Sequence, residues 1–158
     1  MEWLTEQEQA TWRAFLAATT LLEDHLDRQL QRDAGMPHMY YALLSTLSET
    51  PGRRMRMTDL AERTKITRSR LSHAVARLEG NGWLRRESCP TDRRSQVCVL
   101  TDAGYEELVR TAPGHVAAVR AAIFDRLTPE QTALLGEISR IIADGLHQPQ
   151  GADLPWLR

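Results

Sequence analysis

"TRSRLSHAVARLEGNGWLRRESCPTDRRSQVCVLT", Thr67 to Thr101, changes its period part-way along. From Arg68 to Asn81 the apolar residues Leu71, Val75 and Leu78 recur at steps of three and four, which is one face of a helix, and Thr67 is a suitable N-cap. Gly82 breaks that helix and the period falls to about two. Trp83 to Ser88 and Ser95 to Leu100 therefore read as two short strands, joined by Cys89 to Arg94, a link too long for a tight turn. The stretch predicts a helix followed by a hairpin with two adjacent arginines, Arg93 and Arg94, at its tip.

Upstream, Thr58 can cap a helix over Asp59 to Thr64, and only Lys65 and Ile66 separate it from Thr67, giving helix, short turn, helix. Before it, a helix follows Pro37 with Tyr40, Tyr41, Leu44 and Leu47 on its apolar side, and Pro51-Gly52 ends it ahead of the basic stretch Arg53 to Met57. The first helix opens on the capping box Thr5-Glu6-Gln7-Glu8 and carries Trp12, Phe15, Leu16, Thr19, Leu22, Leu26 and Leu30 as far as about Arg32, before Gly35. A stripe of that length in a small domain is most economically covered by a partner subunit.

Downstream, Thr101 caps a helix bearing Leu108, Val109, Val116, Val119 and Ile123, and Pro113-Gly114 inside it should kink it. The last helix starts at Thr128-Pro129-Glu130-Gln131, carries Leu134, Leu135, Ile138, Ile141, Ile142 and Leu146, and ends near His147. The fold expected is mainly α with a small β wing. It comprises a winged helix-turn-helix DNA-binding lobe over 37–104 and dimerisation helices over 5–33 and 115–147, all in one domain spanning 1–158.

The 158 residues, 42% of them hydrophobic, suffice for one core, and the formal net charge is only -1. The distribution of charge is more telling. Arg53 to Arg94 holds twelve basic and five acidic residues, a balance of +7, which leaves -8 on the flanks. A basic centre between acidic flanks fits a polyanionic partner, double-stranded DNA. No run of eighteen apolar residues could span a membrane, and the acidic start, Met1 to Gln9, is unlike a signal peptide, so a cytoplasmic protein is expected. Cys89 and Cys98 lack metal-ligand spacing and read as ordinary thiols. His25, His38, His73, His115 and His147 are scattered, and there is no G-x-G-x-x-G, G-x-S-x-G or G-x-x-x-x-G-K. Neither an enzyme, a metal site nor a cofactor is indicated.

Leu60-Ala61, Leu78-Glu79 with Gly82, Asp92-x-Arg94 and Leu100-Thr101-x-x-Gly104 resemble the pattern of the MarR family of bacterial transcription regulators, most strongly from about Tyr41 to Gly104. The resemblance implies a homodimer with two DNA-binding lobes below a helical interface, and often a small-molecule pocket between the two regions. It makes Arg94 the minor-groove residue of the wing, with Arg93 on the phosphates. A pocket in the family's place would draw on Trp12, His38, Tyr40, Tyr41 and His115, with an unknown effector.

With Leu71, Val75 and Leu78 turned inward, the outer arc of the recognition helix, 67–81, is Arg68, Ser69, Arg70, Ser72, His73, Ala76 and Arg77. Its N-terminal residues should reach the major groove: Arg70 can pair bidentately with a guanine, His73 can donate to a purine, and Arg68, Ser69 and Ser72 stand beside them. Thr67 and Arg77 fall at the DNA backbone, although Arg77 could instead hold Asp92. An acid beside DNA costs affinity, so Asp92 is read as orienting the wing, 88–96, through a salt bridge to Arg77 or Arg86. The reading predicts a repressor on a pseudo-palindromic operator. The rival reading is a winged helix that binds another protein and no DNA.

Overall fold

The computed structural model describes residues 2–89 and 92–146, with the backbone alone at 92–94. The order is α1 (Glu6–Ala34), α2 (His38–Ser48), β1 (Arg54–Arg56), α3 (Met57–Thr64), α4 (Arg68–Gly80), β2 (Leu84–Cys89), β3 (Asp92–Leu100), α5 (Asp102–Ala122) and α6 (Pro129–Leu146), with single 3-10 turns at Pro51–Arg53 and Phe124–Arg126. The expected class is what forms, a mainly helical chain with a small antiparallel sheet in the order β1-β3-β2.

Local chemistry sets most of the boundaries. In α1 the capping box closes in both directions, with the Glu8 N–H donating to Thr5 Oγ1 at 3.2 Å and the Thr5 N–H to Glu8 Oε2 at 2.7 Å. Gly35 ends the helix in the left-handed region, at φ 63°. At α6 the Gln131 N–H donates to Thr128 Oγ1 at 3.2 Å, and the Thr128 N–H to Gln131 Oε1 at 3.0 Å. Between these ends, α5 runs as one helix across Pro113.

One core serves the lobe. Leu30, Met36, Leu43, Leu44, Leu47, Leu60, Leu71, Val75, Leu78 and Cys98 are almost wholly buried there, drawn from α1, α2, α3, α4 and the inner face of the sheet. At its edge Gly104 presses α5 against the base of the hairpin: a Cβ at that position would lie 2.1 Å from the Trp83 carbonyl oxygen. Thr101 ties the same corner, its hydroxyl donating to the Gly82 carbonyl at 2.7 Å and accepting from the Gly104 N–H at 3.0 Å.

Three details differ from expectation. The stretch Arg53 to Met57 contains a strand, β1, paired to β3 with Arg54 opposite Val99 and Arg56 opposite Val97; three residues carry no period of their own, and the edge of β3 supplies the partner. Helix α3 starts at Met57 with Arg56 at its N-cap position, and the Thr58 hydroxyl donates instead to Asp59 Oδ1 at 3.0 Å. The hairpin also zips further than expected, since β3 starts at Asp92 and pairs there with Cys89, across a register shift between Ser88 and Cys89. The register runs Ser88 to Gln96 and then Cys89 to Asp92, so Arg93, Arg94 and Ser95 fall within the irregular step, as in a bulge that bends a strand.

The helices outside the lobe look different. No residue of α6 is buried, and Leu134, Leu135, Ile138, Ile141 and Ile142 stand exposed with Trp12, Phe15 and Leu16 of α1 and Val109 and Val116 of α5. Among the described residues no helix is long and apolar enough to cross a membrane.

Candidate nucleic-acid interface

Helices α3 and α4 meet through Lys65, which takes the left-handed conformation at φ 55°, and Ile66, whose N–H donates to the Ala61 carbonyl at 3.1 Å. That tight turn sets the second helix across the first. Leu71, Ala74, Val75 and Leu78 anchor α4 in the core, which leaves Thr67, Arg68, Ser69, Arg70, Ser72, His73, Ala76 and Arg77 all exposed on one arc. The expected outer arc is thus the one observed. Thr67 caps the helix by accepting from the Arg70 N–H at 3.3 Å, so its hydroxyl hydrogen is left for an outside acceptor such as a phosphate oxygen.

Arg68, Arg70 and Arg77 have no ion-pair partner among the described residues, whereas Arg54, Arg85 and Arg86 of the sheet are committed. On the sheet's outer face Glu87 takes Arg85 Nε at 2.8 Å and Arg54 Nη2 at 3.0 Å. The hydrogen bond from Arg85 is the main reason that its carboxyl is held below the usual range. These side chains roof a small apolar cluster of Cys89, Val97 and Val99. On the inner face Arg86 is bound by Glu79 of α4, its Nε donating to Glu79 Oε2 and its backbone N–H to Glu79 Oε1, both at 2.8 Å. Arg86 therefore braces the wing through Glu79; the side chains of Asp92, Arg93 and Arg94, to which wing roles were assigned, lie outside the described residues.

The candidate effector residues divide. His38, Tyr41 and His115 come together where α1, α2 and α5 meet, with the His115 ring 4.3 Å from that of Tyr41 and 5.4 Å from that of His38. Tyr40 packs against the lobe's core, as Tyr41 also does, but has no ring contact with the histidines among the described residues, and Trp12 stacks on Phe15 at 6.3 Å along α1. Gln29, which periodicity could not single out, joins the cluster: its amide nitrogen donates to Asp33 Oδ2 at 2.9 Å, which turns its oxygen toward His115 Nδ1, 3.2 Å away. An oxygen there can only accept, so His115 carries its proton on Nδ1. Burial first, and His38 second, lower the His115 pKa and favour the neutral ring. The two thiols are buried and not joined in a disulfide, and burial, helped by the charge of Glu79, pushes Cys98 up to about 12, far from a reactive thiolate.

Residues 34–95 match the sequence profile described as the MarR family. A MarR family transcriptional regulator of Streptomyces coelicolor, Sco3205, solved in complex with DNA, is 70% identical, covers 100% of this chain and 98% of its own, and superposes with a TM-score of 0.90. This chain belongs to the MarR family. A second MarR family regulator from S. coelicolor, AbsC, is 42% identical over 92% of this chain and 98% of its own, with a TM-score of 0.86. The transcriptional regulator HosA of Escherichia coli O111:H- is 27% identical over 81% of this chain and 93% of its own. The protein is accordingly a MarR-family transcriptional regulator with the winged-helix fold, and its family consists of regulators and not enzymes.

Within this MarR lobe, sequence reasoning missed Arg53, Arg54 and Glu79. Arg53 takes the left-handed conformation at φ 52°, lies 3.6 Å over the Tyr105 ring and pairs with Asp102 at 3.3 Å, so it locks the α2–β1 corner to the start of α5. The excess of arginine before α3 was its only signal.

Proposed function

We propose that this MarR-family protein is a cytoplasmic, homodimeric repressor that binds a pseudo-palindromic operator in double-stranded DNA. Each α4 enters a major groove, with Arg68, Ser69, Arg70, Ser72 and His73 toward the bases and Thr67, Arg77 and Arg93 toward the backbone, while Arg94 enters the minor groove. Asp92 and Arg86 orient the wing. The observation that carries this reading is the arc of exposed cations on α4, with no ion-pair partner among the described residues, on a chain 70% identical to a regulator solved in complex with DNA. A cation left unpaired on a rigid helix gains most from a phosphate or a guanine edge.

A second copy is the natural cover for α6 and the first turns of α1, because exposed apolar faces of that extent are uncommon on a monomer. One domain then spans the chain, with 5–33 and 115–147 joining the copies and 37–104 holding DNA. Two lobes so joined would place their recognition helices about 34–36 Å apart, one turn of the duplex. An effector favouring another spacing would release DNA by population shift, and the junction of His38, Tyr41 and His115 is where it would act.

The test is selection of duplexes from a randomised library by the purified protein, followed by titration at several salt concentrations. A two-fold symmetric consensus, bound by two chains and weakening steeply with salt, is expected. Failure to select any sequence would favour a winged helix that docks on another protein.

A further inference from the structure

Glu79 is the last-turn carboxylate of α4, the helix assigned to the major groove, and Arg86 is the third residue of β2, the strand that leads into the wing. Their contact is not a loose surface pair. The Arg86 backbone N–H and Nε each reach a different oxygen of the same carboxylate at 2.8 Å, and both side chains are largely buried, 25% exposed for Glu79 and 30% for Arg86. A backbone donor fixes where the strand lies, and a guanidinium donor fixes how it is turned. Beside Arg86 on the same face of the sheet stands its cross-strand partner Cys98, fully buried, so the clamp sits at the edge of the core.

We infer that Glu79 is a positioning residue for DNA recognition: through Arg86 it sets the angle of the wing relative to the recognition helix, so that minor-groove and major-groove contacts are made together. This rests on the DNA-binding reading above. Strand β2 continues three residues beyond Arg86. At about 3.3 Å per residue that is about 10 Å, so a tilt of about 10° at the clamp carries the strand end about 2 Å, enough to lose a hydrogen bond. The base of the hairpin is pinned separately, where the Trp83 N–H donates to the Leu78 carbonyl at 3.0 Å and the Thr101 N–H to the Trp83 carbonyl at 3.1 Å. Cutting the clamp should therefore free the wing's aim while leaving the hairpin attached.

The experiment is hydroxyl-radical footprinting, with affinity and thermal unfolding, on a duplex that the wild-type protein selects from a randomised library. Glu79→Gln, Arg86→Ala and the conservative Arg86→Lys are compared. Glu79→Gln and Arg86→Ala should lose protection of the sugars lining the outer minor grooves, keep it on the backbone flanking the central major grooves and weaken binding at least about ten-fold, the order expected for hydrogen bonds to a charged group. Arg86→Lys should restore part of both. If Arg86→Ala fails to fold, Glu79→Gln decides alone, since it keeps size and an acceptor for the Arg86 N–H. Protection fading evenly over the whole site, or unchanged footprint and affinity, would overturn the inference and leave the DNA-binding reading standing. A wild-type protein that selects no duplex would instead remove the reading on which both rest.

Discussion

Gly104 has no room for a side chain, because a methyl group there would meet the Trp83 carbonyl at 2.1 Å and Leu100 Cδ1 at 2.8 Å. Backbone on one side and a core leucine on the other cannot both retreat. Gly104→Ala should cost about 3 kcal/mol, the upper range for overpacking, read as a lower denaturant midpoint; an unchanged midpoint would show that α5 can slide away from the hairpin. Arg70 is the opposite case, an exposed side chain with no ion-pair partner among the described residues. Arg70→Ala should leave stability unchanged and weaken operator binding by about 1–3 kcal/mol while relaxing the preference at one base pair; repeating the library selection with the variant checks it. The arc around Arg70 was legible from the sequence since Leu71, Val75 and Leu78 fix which side of α4 is buried. Glu79 was not, because its partner lies seven residues on, past the break at Gly82, where no period relates the two.

Among the elements, α1, α2 and α5 meet at a polar junction, and its chemistry makes it sensitive to pH. His115 has a folded pKa below its ordinary value, owing to burial and then to His38, so the packed junction holds the neutral ring. Any opened or unfolded state titrates nearer the usual histidine value of about 6.5 and binds more protons below it. The stability contributed by His115 is therefore present above that value and lost as pH falls from it through the lower folded one. Unfolding free energy should decline between about pH 7 and 5 in the wild type and decline less in His115→Gln; parallel curves would show that another group governs acid stability. The strand β1 belongs at this level too. It exists because β3 offers an open edge, and a three-residue window in the sequence holds nothing to announce that.

For the molecule as a whole, the decisive surface is the apolar face of α6, which a single chain leaves wholly unburied. Ile138→Glu should turn a dimer into a monomer by placing a charge in the proposed interface, at a cost of several kcal/mol, and specific DNA binding should fall with it. Sedimentation equilibrium tests both chains, and a wild-type protein that sediments as a monomer would refute the arrangement. By itself the sequence determined the helices, the hairpin and the basic centre, since caps, periods and charge runs are written within windows of a few residues. It also marked the family, through residues spaced along one continuous stretch. Tertiary structure alone decided which distant groups meet: His115 beside Gln29 across 86 positions, Arg86 on Glu79, and Arg53 over Tyr105. Such meetings depend on the angles at which whole helices pack, and no local pattern of residues encodes those angles.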